Sequence, residues 1–294
     1  MKVSVIGLGA MGLPMATCLA EKFEVTAFDI AQARCDLARE AGVTIKDSSR
    51  DAVEGTDYTL VAVRNQQQLE NLLYGDAGIA HSMKEGAGLI ITSTIGIAPV
   101  VEVAKKLKEE SGIEVIDAPI SGGPVRAGKG DLLVTVGAYQ EVFDAALPVL
   151  NQLASTLVHV GNEPGKGQAM KTVNQLLCGV HIAAAGEALA LAGQLGLDQT
   201  KALEALMGGA AASFMLGDRG PRAIQAYNGE EAEVRSRLDI FVKDMGIVTS
   251  AAKVAGMAVP VASATEQLYL QGLSRGQAAQ DDSSVIKLVQ PVED

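Results

Sequence analysis

The sequence predicts an α/β protein in two parts: a doubly wound parallel sheet, then an all-helical domain. Three observations carry this. Short apolar runs of strand length alternate with helical spacing through the first half. A Gly-x-Gly-x-x-Gly turn joins the first run to the first helix. Beyond residue 162 strand patterning stops and only helical spacing remains. The expected domains are 1–162 and 163–294, with a long Ala-rich helix from about Gly167 to Gln194 leading into the second.

Taken in order, KVSVIGLG reads as a strand entering a tight turn, AMGLPMATCLAEK as a helix and EVTAFDI as a second strand. DYTLVAVRN and AGLIITSTI are further strand-length runs, followed by the helix VVEVAKKLKEES. GIEVIDAPIS and DLLVTVGA are strands, YQEVFDAALPVLNQLA a helix and HVGNEPGKG a turn-rich joint. DQTKALEALMG, RLDIFVKDMGIVTSAAKVAG and PVASATEQLYLQGLS supply the later helices.

Composition narrows the function. Of 294 residues 48% are hydrophobic, but only 3% are aromatic and none is Trp, which suits helices on a parallel sheet rather than a base-stacking surface. The net charge of −11, from 24 basic against 35 acidic residues, opposes nucleic-acid and anionic-membrane binding. Cys18, Cys35 and Cys178 lie far apart without metal spacing, so neither a metal site nor a disulfide framework is expected. The chain starts directly in a buried-strand pattern, MKVSVIGLG, and a cytoplasmic location is expected. Leu176 to Leu197 is apolar enough to span a membrane, but His181, Glu187 and Gln194 interrupt it and predict a buried helix.

The glycine turn follows a strand and opens a helix, the context of a Rossmann-type dinucleotide site. Gly7 suits the turn, Gly9 a close approach of pyrophosphate and Gly12 tight helix–strand packing. The backbone of Leu8, Ala10 and Met11 completes the cradle at a helix N-terminus. Asp29 follows Gly12 by 29 − 12 = 17 residues, where a carboxylate accepts ribose hydroxyls and repels a 2′-phosphate. That predicts NAD over NADP; the alternative is that Asp29 only caps the next helix. Arg34 would favour NADP if it faced the site, but its helical spacing places it on a solvated face.

Two further stretches can carry chemistry. In DAPISGGPVRAGKGDL, Ser121, Gly122 and Gly123 could offer a hydroxyl and backbone N–H groups to a carboxylate, or form an ordinary glycine turn. In GKGQAMKTVNQLL, Lys171, Asn174 and Gln175 stand at i, i+3 and i+4 on one helical face. Lys171 either snorkels to solvent or acts as a general acid/base.

GLGAMG, DAPISGG and GKGQAMK occur in the order and spacing of the β-hydroxyacid dehydrogenases, which the sequence resembles from end to end. This is the family related to 3-hydroxyisobutyrate dehydrogenase. The resemblance implies an NAD-dependent oxidation of a small hydroxy acid, with Lys171 moving the hydroxyl proton. It implies a substrate carboxylate at Ser121, Gly122 and Gly123, helped by Asn174 or Gln175. It places cofactor contacts at the glycine turn, Asp29, Val63, Arg64, Asn65, Thr94 and Lys243, and gives Asp244 a supporting role. The segment VRNQQQ departs from the family's usual Pro there, and Gln175 stands where many members have Asn. Together with Arg126, Lys129 and DDSSVIKL, these departures look closest to the L-threonate dehydrogenase branch.

Alternatives within the family are 3-hydroxyisobutyrate dehydrogenase and the tartronate or succinic semialdehyde reductases. Imine reductases and non-catalytic NAD-binding relatives generally lack the lysine that Lys171 supplies. The expected partners are a small carboxylate-bearing substrate and a second copy of the chain, as a homodimer or homotetramer.

Overall fold

The computed structural model describes residues 1–290 and divides the chain into two compact units, Met1–Lys171 and Thr172 onward. The division falls nine residues beyond the expected boundary at 162/163 (171 − 162), inside the long helix rather than in the turn before it. Residues 291–294 of the expected second domain lie outside the described residues.

The first unit alternates strands and helices. Its elements are β1 (Lys2–Ile6), α1 (Gly12–Ala20), β2 (Glu24–Phe28), α2 (Gln32–Glu40), β3 (Thr44–Ile45), α3 (Ser49–Val53), β4 (Tyr58–Val61) and α4 (Gln66–Tyr74). They continue with β5 (Gly88–Ile91), α5 (Ile97–Ser111), β6 (Glu114–Asp117), β7 (Ile120–Ser121), α6 (Gly123–Ala127), β8 (Leu132–Gly137), α7 (Gln140–Leu153) and β9 (Ala154–Gly161). The sheet order is β3-β2-β1-β4-β5-β6-β8-β7, with β9 also on β8. The parallel run β3-β2-β1-β4-β5-β6 reverses direction beside β1, and ligands bind at such a switch point, outside the carboxyl ends of the strands.

Alternation along the strands builds two cores. Val5, Leu60, Ile90 and Ile116 enter one cluster with Met15 and Leu19 of α1 and Val149 and Leu153 of α7. Their neighbours Ile6, Val61, Ile91 and Val115 enter the other, with Val53 of α3, Leu69 and Leu73 of α4 and Val100 and Leu107 of α5. Both faces are therefore covered, and the central strands read as continuous apolar runs.

The sheet departs from the sequence reading at its far edge. GIEVIDAPIS and DLLVTVGA do form strands, but β8 runs antiparallel to β6 and β7. Chain from β6 reaches β8 through only β7 and the five-residue α6, too short for a parallel crossover. β9 was not among the expected strands; it lies in STLVHVG, where α7 ends, and pairs parallel with β8.

α8 (Lys166–Gln194) runs through the division at 171/172. By length and composition it is the one helix among the described residues able to cross a membrane. Its Ile182, Ala185, Leu189 and Ala190 are nevertheless packed in the cores of the second unit. That unit adds α9 (Gln199–Met207), α10 (Phe214–Tyr227), α11 (Leu238–Val254), α12 (Pro260–Ser274) and a 3₁₀ helix (Asp282–Leu288). A buried ionic cluster ties α10 to the 3₁₀ helix: Arg222 Nε donates to Asp281 Oδ1 at 3.0 Å, and Arg219 Nη2 to Asp282 Oδ2 at 3.0 Å. Asp281 also accepts the N–H groups of Arg235 and Ser283. Each of these buried charges thus faces an opposite charge at hydrogen-bond distance.

Candidate active site

The glycine turn is built by close contacts that only glycine permits. A Cβ on Gly7, whose φ is +91°, would lie 2.6 Å from the Ala62 carbonyl oxygen; one on Gly12 would lie 1.8 Å from that of Gly7. A Cβ on Gly9 would meet nothing within 4 Å. α1 starts there without a side-chain cap. Its N-terminal N–H groups and the open space at Gly9 form a cradle that fits a pyrophosphate.

Asp29 directly follows β2. Its Oδ2 accepts the Leu8 N–H at 2.6 Å and its Oδ1 the Ala31 N–H at 2.8 Å. Each carboxylate oxygen keeps a lone pair for a ribose hydroxyl. Asp29 therefore braces both the glycine turn and the chain leading into α2. Arg34 does not lie on a solvated face as its spacing predicted. Its Nε donates to the Leu8 carbonyl at 2.6 Å and its Nη2 to that of Gly9 at 2.9 Å. The reason is local: α2 packs beside the turn, and its long side chain reaches back to the Leu8 carbonyl and to that of Gly9, which also accepts the Leu13 N–H at 3.2 Å.

The segment after β4 is tied down by its own side chains. Asn65 caps α4, accepting the Gln68 N–H at 2.9 Å, while Gln68 Oε1 accepts the Arg64 N–H at 2.9 Å. The Val63 N–H donates to Ser93 Oγ at 2.9 Å. The Asn65 side chain is thus used by its own helix, and N-x-x-Q was a legible capping signal.

Lys171 is half-buried, and its Nζ donates to the Ile120 carbonyl at 2.8 Å. The ammonium stands at the residue before Ser121, where the Ser121-Gly122-Gly123 turn begins. Gly122 and Gly123 both have left-handed φ, +145° and +77°, and a Cβ on Gly123 would meet nothing within 4 Å. Thr94 lies half-buried in the loop after β5.

Two residues that the sequence reading passed over hold these pieces. The carboxylate of Asp117, at the end of β6, accepts the N–H groups of Gly165 and Gln168, both at 2.9 Å. Gln168 Oε1 accepts the N–H groups of Ile95 at 3.0 Å and Gly96 at 3.1 Å. Burial pushes the Asp117 carboxyl up to about 6, against the hydrogen bonds from Gln168, Gly165 and Gly167 that lower it.

In the second unit, Asn174 Nδ2 donates to Gln175 Oε1 at 2.8 Å and Gln175 Nε2 donates to Asp244 Oδ2 at 2.5 Å. Asp244 is buried and its other oxygen pairs with Lys243 Nζ at 2.9 Å. Gln175 is itself buried, with both ends of its amide used, so it orients Asn174 and Asp244. Asp244 therefore has the supporting role expected of it, and Asn174 is the more exposed amide of the pair.

Comparison with known proteins extends this geometry. Residues 2–161 match the family model for the NAD-binding domain of 6-phosphogluconate dehydrogenase. Residues 165–289 match that for the NAD-binding region of NADP-dependent 3-hydroxyisobutyrate dehydrogenase. L-threonate dehydrogenase of Escherichia coli O6:H1 is 34% identical over 288 residues, covering 97% of this chain and 94% of that protein. 2-(Hydroxymethyl)glutarate dehydrogenase of Eubacterium barkeri is 30% identical over 290 residues, 98% and 94% of the two chains. The crystal structure of 3-hydroxyisobutyrate dehydrogenase from Salmonella typhimurium superposes with a TM-score of 0.90 at 33% identity, covering 98% of this chain and 99% of that one.

Proposed function

The chain belongs to the 3-hydroxyisobutyrate dehydrogenase family of NAD(P)-dependent hydroxyacid dehydrogenases, and from that premise we propose that it oxidises a small sugar acid of the L-threonate type with NAD. The observation that carries the reading is the Lys171–Ile120 hydrogen bond, which holds an ammonium at the mouth of the Ser121-Gly122-Gly123 turn. The hydroxyl and N–H groups of that turn bind the substrate carboxylate. Neutral Lys171 takes the hydroxyl proton as the C–H bond of the carbinol carbon breaks; in reverse, its ammonium returns the proton to the carbonyl oxygen. When bound, NAD accepts the hydride. Asp29 supports NAD over NADP, because its carboxylate would repel a 2′-phosphate. The relatives named for L-threonate support a four-carbon substrate with hydroxyls beyond the one oxidised.

The same reading places the enzyme in the cytoplasm as a homodimer or homotetramer. Val173, Leu177 and Leu191 are exposed on one face of α8, at 56%, 50% and 58%, with Leu195 just beyond its end at 68%, and a second copy would cover that face. Light scattering on the eluting protein tests that point.

The deciding experiment is NADH formation with L-threonate, erythronate, glycerate, 3-hydroxyisobutyrate, 4-hydroxybutyrate and 2-(hydroxymethyl)glutarate, and NADH consumption with tartronate and succinic semialdehydes. L-threonate should give the highest kcat/KM. Preference for 3-hydroxyisobutyrate, or for a semialdehyde in the reductive direction, reassigns the substrate. Normal NAD binding with no turnover of any of them removes the enzymatic reading.

A further inference from the structure

Asp117 and Gln168 are buried at 0% and 1% exposure, 51 residues apart in sequence, and directly bonded: Gln168 Nε2 donates to Asp117 Oδ1 at 3.0 Å. The other carboxylate oxygen holds the first turn of α8 through the Gly165 and Gln168 N–H groups. The Gln168 amide reaches a third segment, accepting from Ile95 and Gly96 and donating to the Ser93 carbonyl at 3.0 Å. One carboxylate and one amide thus join the end of β6, the loop that carries Thr94 and the start of α8.

The register of this cluster repeats one step further on. Lys171 follows Gln168 by three residues, and Ile120 follows Asp117 by three. The Lys171–Ile120 hydrogen bond therefore lies beside the Asp117–Gln168 bond, on the same two segments. Gly167 between them leaves no slack: a Cβ there would lie 2.4 Å from the Asp117 carbonyl oxygen. A helix N-terminus favours a carboxylate through its free N–H groups and dipole, and here that carboxylate comes from the adjacent strand.

We propose that Asp117 and Gln168 are positioning residues, which pin the first turn of α8 to the ends of β5 and β6 and thereby fix where the Lys171 ammonium stands. The inference rests on Lys171 being the acid/base. A proton-transferring group is sensitive to placement, and a shift of about 1 Å can cost on the order of 10²-fold in rate.

The test is a kinetic double-mutant cycle, using the acid of the substrate panel that is turned over fastest. Asp117→Asn and Gln168→Ala are each made in the parent and in Lys171→Ala. In the parent each should lower kcat about ten- to a hundredfold, with KM for NAD changed less than about twofold. In Lys171→Ala each should lower it less than about twofold further, because the group being positioned is gone. Exchanging the partners, Asp117→Asn together with Gln168→Glu, re-forms the side-chain bond with donor and acceptor reversed and should restore part of kcat. If Asp117→Asn does not fold, Gln168→Ala completes the cycle. Equal losses in both backgrounds, or no loss in the parent while Lys171→Ala is impaired, overturn the positioning role alone. Full turnover by Lys171→Ala overturns both readings.

Discussion

Two helices begin in a glycine-bearing turn of the first unit, and they meet negative charge in opposite ways. α1 starts without a side-chain cap beside the open space at Gly9. α8 starts on the buried carboxylate of Asp117, which takes the Gly165 and Gln168 N–H groups. The close contacts are alike: Gly12 presses on the Gly7 carbonyl as Gly167 presses on that of Asp117. The difference lies in the source of the anion. Left open, a helix N-terminus is a site for a ligand's phosphate; filled from within, it becomes a fixed mount for the side chain one turn on.

The largest expected effect tests whether the filled helix start serves chemistry and the open one binding. Lys171→Ala should lower kcat about 10²–10⁴-fold, the usual scale for losing a general acid/base. NADH affinity, followed by its fluorescence, should change less than about twofold. Loss of NADH binding on the same scale as the loss of kcat would mean that α1 and α8 both serve the cofactor.

The next effect probes the internal anion. Burial lifts Asp117 from its ordinary 3.8 to about 6 in the folded chain. Between those values the folded state binds more protons than the unfolded one, so this group's stabilisation is full below about pH 4 and is lost as pH rises through 6. At roughly 1.4 kcal/mol per pKa unit, wild type should lose on the order of 3 kcal/mol relative to Asp117→Asn from pH 4 to 7. Denaturant titrations of both proteins across that range measure it. A relative gain in wild-type stability over the same range would mean that the N–H donors outweigh burial.

Three glycine variants sharpen the contrast in packing. Gly12→Ala and Gly167→Ala force a Cβ within 1.8 and 2.4 Å of backbone oxygens, and each should cost about 1–3 kcal/mol or more. Gly9→Ala meets no atom of the chain, so its Tm should stay near wild type while NAD affinity falls. Thermal melts with and without NAD separate the two outcomes. A Gly9→Ala protein that binds NAD normally would remove the start of α1 from the cofactor site.

These two helix starts were unequally legible in the sequence. The open one is local: strand, glycines, helix and Asp29 all lie within the first 29 residues, so spacing alone locates it. The filled one pairs residues 51 positions apart, and periodicity carries no sign of that bond. Gln168 reads as one more polar residue near a helix start, although it is the amide that joins three segments. Arg34 was misplaced for a related reason, since helical spacing reports a face and not the length of a side chain that reaches back to a turn. The antiparallel β8 escaped because strand direction depends on the connection, and the short α6 gave too weak a signal. The sheet, the helical second unit and the lysine helix were legible because each repeats a period over many residues.

The smallest expected effect concerns how the open start of α1 chooses its ligand. Wild type should favour NAD over NADP by about tenfold or more in kcat/KM, on the order of 1.4 kcal/mol, because the Asp29 carboxylate opposes a 2′-phosphate. Asp29→Asn keeps the shape and an acceptor for the Leu8 N–H but removes the charge, so the ratio should narrow. Arg34→Ala separates two roles for the guanidinium. As a brace on the Leu8 and Gly9 carbonyls, its loss should raise KM for both cofactors together and leave their ratio unchanged. As a phosphate reader, its loss would lower efficiency with NADP alone, and the open start of α1 would then owe its choice of ligand to a cation on α2 rather than to Asp29.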